Sequence, residues 1–156
     1  MATSVENYIP YQPNAQGLTE ALLDLKSSMG TSSVFKVTGY EAVAFENVSD
    51  GDALYMRTSD GQVGKASAAD GTVENAQVVG FADADATANS TVKVIVIGLK
   101  TLSGLDAGDL YFLSPSTAGA ITLTPPSSAG QAVVRVGEAS TATKFAIRVE
   151  PPIKLS

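Results

Sequence analysis

Four aspartates stand in pairs one residue apart, Asp50-x-Asp52 and Asp83-x-Asp85, each within a run of small and polar residues. Loop carboxylates at that spacing are the oxygen donors a hard cation such as Ca²⁺ takes, but a full site needs roughly six to eight oxygens. Neither pair has the EF-hand spacing, so both read as solvated loop acids and no metal is expected. Two acids facing each other across a cleft could also hydrolyse a glycoside. With 16 Asp and Glu in the chain, however, such pairs are unavoidable and spacing singles out none. The 156 residues include no Cys and no His. Thiol catalysis, Ser-His-Asp chemistry, imidazole proton transfer, disulfides and zinc sites built on those side chains are therefore excluded. The 14 glycines are scattered at turns and form no phosphate-cradling loop. Arg57, Lys65, Lys93, Lys100, Arg135, Lys144, Arg148 and Lys154 are likewise dispersed. The expectation is a protein that is not an enzyme and carries no cofactor.

Charge and hydropathy narrow the partners. The net charge is −6 with a pI near 4.5, and a phosphate backbone repels such a surface, so nucleic acid is not an expected partner. Hydrophobic residues make up 44% and charged residues 17%, too apolar a balance for a disordered chain. The first eight residues contain neither Lys nor Arg nor an apolar run, so they do not read as a signal peptide. The longest strongly apolar stretch, Val92 to Leu99, includes Lys93 and falls far short of the roughly 20 residues a spanning helix needs. No membrane partner is expected, and synthesis in a cytoplasm is. Asn47-Val48-Ser49 and Asn89-Ser90-Thr91 match the glycosylation sequon, which without a secretory signal carries no meaning.

Three textures divide the chain into segments 1–33, 34–98 and 99–156. Residues 1–16 form an arm with Pro10 and Pro13, which favour extended chain, and with Tyr8, Ile9 and Tyr11 as apolar handles. Such an arm cannot bury its own aromatics and needs a surface to lie on. Residues 18–29 predict a helix. Leu18, Leu22, Leu25 and Met29 make a narrow apolar stripe, and Gly30 supplies a stop. At about 18 Å this helix is marginal alone and must pack on its own chain or in a short bundle around an assembly axis. The arm and stripe residues are the candidate attachment or subunit interface.

From Val34 onward short runs of Val, Ile, Phe and Tyr alternate with Gly, Asp, Ser and Thr clusters, the pattern of an all-β sandwich or barrel. Strands are expected at 34–38, 41–46, 53–57, 62–66, 76–82, 91–98, 109–113, 119–123, 132–138 and 143–149. Thr91 to Ile97 is apolar on both faces, so that strand should be covered on both sides, one cover being a possible subunit contact. The β region also repeats itself. Gly51-Asp52 recurs as Gly108-Asp109, 57 residues on, and at the same offset Leu54-Tyr55-Met56 faces Tyr111-Phe112-Leu113. Val79-Gly80-Phe81-Ala82 likewise faces Val136-Gly137-Glu138-Ala139. The closing strands, Val92 to Ile97 and Lys144 to Val149, match at 52, which makes the second loop five residues shorter. Gly80 and Gly137 lie inside apolar strands, where a bulge or sharp bend would explain them.

The runs Ala107 to Ser114, Ala118 to Pro126 and Ala129 to Ala139, with the first copy from Gly51 to Ala82, resemble a β module of tailed-bacteriophage structural proteins. That family includes capsid decoration (cement) proteins, head fibres and tail-fibre segments. The resemblance covers roughly residues 45–150 and leaves 1–33 outside it. It implies a non-enzymatic, usually trimeric virion-surface protein with no catalytic residues to carry over. The expected function is capsid decoration: a homotrimer bound to the major capsid protein on the outer shell, which it stabilises. The alternative is a head or tail fibre or spike that attaches to a host surface. The low aromatic content, 6% with no Trp, argues against the second.

Overall fold

A computed structural model describes residues 38–69 and 72–156, which belong to one compact unit, Lys36–Ser156. The arm, the helix at 18–29 and nearly all of the strand expected at 34–38 lie outside the described residues.

The described chain is all-β. Its strands are β1 (Thr38–Val43), β2 (Ala53–Met56), β3 (Val63–Lys65), β4 (Val78–Ala82), β5 (Thr91–Thr101) and β6 (Leu110–Leu113). β7 (Ile121–Thr122), β8 (Ala132–Val133), β9 (Arg135–Thr141), β10 (Lys144–Ile147) and β11 (Ile153–Lys154) follow. One turn of helix, α1 (Val73–Ala76), precedes β4. Nine strands form one sheet in the order β3-β2-β4-β5-β10-β9-β6-β7, with β1 added on β5, and the sheet curls into a half-barrel. β8 and β11 form a separate pair. No described helix is long and apolar enough to cross a membrane.

This strand order is the sequence repeat made visible. β3-β2-β4-β5 reads outward in one direction and β7-β6-β9-β10 in the other, so each strand lies where its counterpart does. The turns match bond for bond. Gly51 N–H donates to the Ala82 carbonyl, Asp52 N–H to Ser49 and Ala82 N–H to Asp52; Gly108, Asp109 and Ala139 repeat all three with Ala139, Asp106 and Asp109. Gly80 and Gly137 sit beside equivalent bulges. The β2–β4 register slips between Leu54 and Tyr55, and the β6–β9 register slips between Tyr111 and Phe112. Both glycines have positive φ, 158° and 157°. A Cβ on Gly80 would lie 2.5 Å from the Ile95 carbonyl oxygen, and one on Gly137 closer still to that of Ala146. The sharp bend therefore requires glycine in both copies.

Register corrects one detail. Phe81 pairs with Ile95 and Glu138 with Ala146, so the closing strands correspond at 51 rather than 52, and the second loop is six residues shorter. The apolar pattern suggests 52 because it sets Ile95 against Ile147. A one-residue slip exchanges the faces of a strand, and these two isoleucines in fact lie on opposite faces of their repeats.

Strand β5 belongs to both repeats. Its first part pairs with β1 and β4, and its last four residues pair with β10. Val94 pairs with Tyr40 as its counterpart Phe145 pairs with Lys100, so Gly98–Thr101 does for the second repeat what β1 does for the first. The boundary between segments at 98/99 thus falls inside a continuous strand. Carried forward by the same 51 residues, Lys100 and Thr101 map onto Pro151 and Pro152. Proline offers no N–H to a ladder, and β10 accordingly stops at Ile147. The tail turns back instead: Arg148 and Glu150 N–H groups donate to the Val136 and Arg135 carbonyls, and β11 pairs with β8.

Two apolar cores result. Leu54, Val63, Ala82, Val92 and Val94 fill the inside of the first repeat. There the chain just beyond β1 meets β3 through the Ala44–Val63 bridge, bringing the strands round on themselves. The second core lies between the repeats. Ala53, Phe81 and Ile95, from the outer face of the first, pack against Tyr111, Phe145 and Val136 from the inner face of the second. The Phe81 and Phe145 rings meet edge to face at 5.5 Å, and Tyr111 meets Phe145 at 5.9 Å. Each fully buried ring contributes roughly 2–3 kcal/mol. β5 is indeed covered on both faces near Val94 and Ile95, and the second cover is the chain's own second repeat rather than a neighbouring subunit.

Candidate functional site

The residues the sequence nominates for an interface, Tyr8, Ile9, Tyr11, Leu18, Leu22, Leu25 and Met29, lie outside the described residues. The described body offers three other features: the aspartate pairs, a shallow groove beside them, and the outer face of the second repeat.

The aspartates are more than solvated acids. Lys100, next to the last residue of β5, has its side chain only 7% exposed. Its ammonium donates to Asp50 Oδ1, and at 3.4 Å to both Asp83 Oδ1 and the Asp83 carbonyl. Three donors thus meet three acceptors, the condition for holding an ammonium out of water. Lys93 adds an exposed ion pair to Asp83 at 3.3 Å. Asp85 Oδ1 accepts the Asp50 N–H at 2.7 Å, and Asp52 Oδ2 accepts the Ser49 N–H at 2.8 Å. Partial burial pushes the Asp52 carboxyl up from its ordinary range against that hydrogen bond. The two pairs therefore lace the turn before β2 to the loop after β4, and Lys100 ties both to the strand shared by the repeats. Among the described residues no group of three or more acids is placed to hold a metal ion.

Asn47, Val48, Ser49, Asp85, Ala86 and Thr87 line an open groove over this lacing. Its bottom is a backbone bridge between Val48 and Ala86, and Asn47 Oδ1 is occupied by the Ala88 N–H at 2.9 Å. A second polar cluster is equally self-contained. Arg57 stacks 4.0 Å above the Phe45 ring and pairs with Asp60, and Phe45 meets Tyr55 edge to face. Glu74 accepts the Thr58 N–H and hydroxyl, and those bonds hold its carboxyl below the usual range.

The outer face of the second repeat is different. Leu110, Glu138, Ala146 and Leu99 pair side by side across β6, β9, β10 and β5, and so share one face. Their counterparts in the first repeat are Ala53, Phe81, Ile95 and Gly39. Ala53, Phe81 and Ile95 are buried, whereas no member of the second row is: Leu110 is 41% exposed, and Ile97, two residues before Leu99, is 59% exposed. Sequence reasoning missed both this row and the Lys100 clasp. The pairing of Phe81 with Glu138 across the repeat was the available signal for the row. Lys100 looked like one more dispersed cation.

No protein-family profile matches the chain, and no curated protein is similar enough to count as a relative.

Proposed function

We propose that this chain is a capsid decoration protein of a tailed bacteriophage, which binds the outer shell as an oligomer and stabilises it without catalysis. The observation that carries the reading is the duplicated β scaffold, joined into one body whose loop acids are spent on internal bonds. Such a body is built to bear load and present surface. The residues that resemble the phage module are the same ones whose repeat organises the sheet, and that coincidence supports the reading.

Mechanically, a protein that binds only assembled shell shifts stability toward assembly. Several weak contacts from one oligomer hold better than any one alone. The major capsid protein is the partner in this reading, and a homotrimer at a local three-fold is the expected unit. Residues 1–33, with Tyr8, Ile9, Tyr11 and the Leu18-Leu22-Leu25-Met29 stripe, are the proposed attachment and assembly segment.

The test is addition of purified protein to capsids lacking it. Decoration predicts saturation at hundreds of copies per shell and a higher temperature of DNA release. Binding to host cells with only a few copies per virion would replace this reading with the fibre one. Binding to neither would remove both.

A further inference from the structure

We propose that two copies of this chain pack face to face through the outer surface of the second repeat, centred on the row Leu110–Glu138–Ala146–Leu99. The molecule itself shows how such a row is used. In the first repeat the equivalent Ala53, Phe81 and Ile95 are covered by another β repeat, which removes them from water. In the second repeat nothing within the described residues buries the row, yet it keeps Leu110 and Leu99 at its ends, where the first row has the smaller, buried Ala53 and the exposed Gly39.

The occupant is identified by elimination and by charge. The surface that covers the first row is the inner face of the second repeat, and it is already used within the chain. The inner face of the first repeat is filled by its own core. The sheet face a second copy still offers is therefore this same outer face, and two sheets pack face to face at a spacing of about 10 Å. A two-fold axis through the middle of the row sets Leu110 of one copy over Leu99 of the other, and β9 over β10. Glu138 on β9, its side chain 43% exposed and held only loosely by Arg135 at 3.6 Å, then faces the strand carrying the exposed Lys144 and Arg148 two residues to either side of Ala146. Lys144 also donates to the Thr101 hydroxyl. The acid-to-cation contact is made twice, once in each direction, as an isologous contact requires. The contact is independent of three-fold assembly through residues 1–33 and of the capsid reading.

Sedimentation of the full-length chain over a range of concentrations tests this. The wild-type mass should at least double with concentration. Leu110→Ser and Glu138→Lys, each verified as folded by its melting curve, should weaken that step tenfold or more. Glu138→Lys combined with Lys144→Glu should restore most of it. A wild-type mass that never changes, or single variants that associate like wild type, would overturn the proposal, and coverage of the face by residues 1–37 or by a shell protein would read out in this way. Capsid binding measured on Leu110→Ser separates the two ideas, because the decoration reading survives a variant that binds shells yet no longer self-associates.

Discussion

The two repeats share a strand plan, a turn and a glycine-dependent bulge, but they differ in what lies on their outer faces. The first buries Phe81 there beneath its sister, and the second places Glu138 there in partial contact with water. They differ also in their loops. Eight residues join β4 to β5 and carry Asp83 and Asp85, whereas two residues join β9 to β10. The lesson is that shared positions encode the fold of a repeat, and unshared ones encode its place in the stack. Ala107 and Ser140, the counterparts of Asp50 and Asp83, lack the charges that hold Lys100.

Exchanging the signature residues is the most severe way to break this contrast. Phe81→Glu places a carboxylate against Phe145 in the inter-repeat core. It should cost about 4 kcal/mol or more, since losing a buried Phe alone costs roughly 3–5 kcal/mol. Glu138→Phe should change the chemical-denaturation midpoint little. Equal effects in both directions would mean that the two faces are not distinguished by burial. Next come the bulge glycines. Gly80→Ala and Gly137→Ala should each destabilise by about 3 kcal/mol or prevent folding, because the new Cβ meets a backbone oxygen. The two should behave alike, and a tolerated Gly137→Ala would show that the second bend is not required.

The clasp should matter less. Lys100→Met removes a buried cation and leaves Asp50, 54% exposed, free to be rehydrated, so a loss of about 1 kcal/mol is expected. Replacing Asp50 and Asp83 together with Ala strands the ammonium and should cost about 3 kcal/mol, more than losing the lysine itself. The reverse ranking in thermal melts would reassign the clasp as a surface ion pair. The smallest effect concerns Glu74. Its folded-state pKa is depressed, by the Thr58 backbone bond first and the Thr58 hydroxyl second. Its contribution is therefore present above the ordinary glutamate range and lost as pH falls through the lowered value. The protection factor of the Thr58 amide, its exchange relative to the intrinsic rate at each pH, should fall on acidification, and Glu74→Gln should abolish that pH dependence.

Much of this fold was legible in the residues. Strands β2, β3, β4, β6, β7 and β10 fall within or at the edges of the segments that alternation marked, because period-two patterning follows directly from one-sided burial. Gly80 and Gly137 betrayed their bulges by standing where a strand disfavours them. The one-turn helix α1 and the two-residue β11 were invisible, being too short for any periodicity to register. The shared strand was read too short, at 91–98, because its last residues hide a lysine on the inner face, and a buried lysine looks like an exposed one until its acceptors are located. The aspartate pairs were recognised but given to solvent, since their partner lies 50 residues from Asp50 along the chain. The uncovered row was only half legible: Glu138 opposite Phe81 marked it, but the register alone decides that Ile95 answers to Ala146.

Pro151 and Pro152 have a consequence for how far this architecture can grow. The first repeat hands its last strand to the second, so two units share one continuous backbone. At the matching place in the second repeat the chain offers imide nitrogens, and the hand-over cannot recur there. The doublet's hand-over therefore stops at Ile147, and the backbone that would have carried a third unit is turned onto β8 instead.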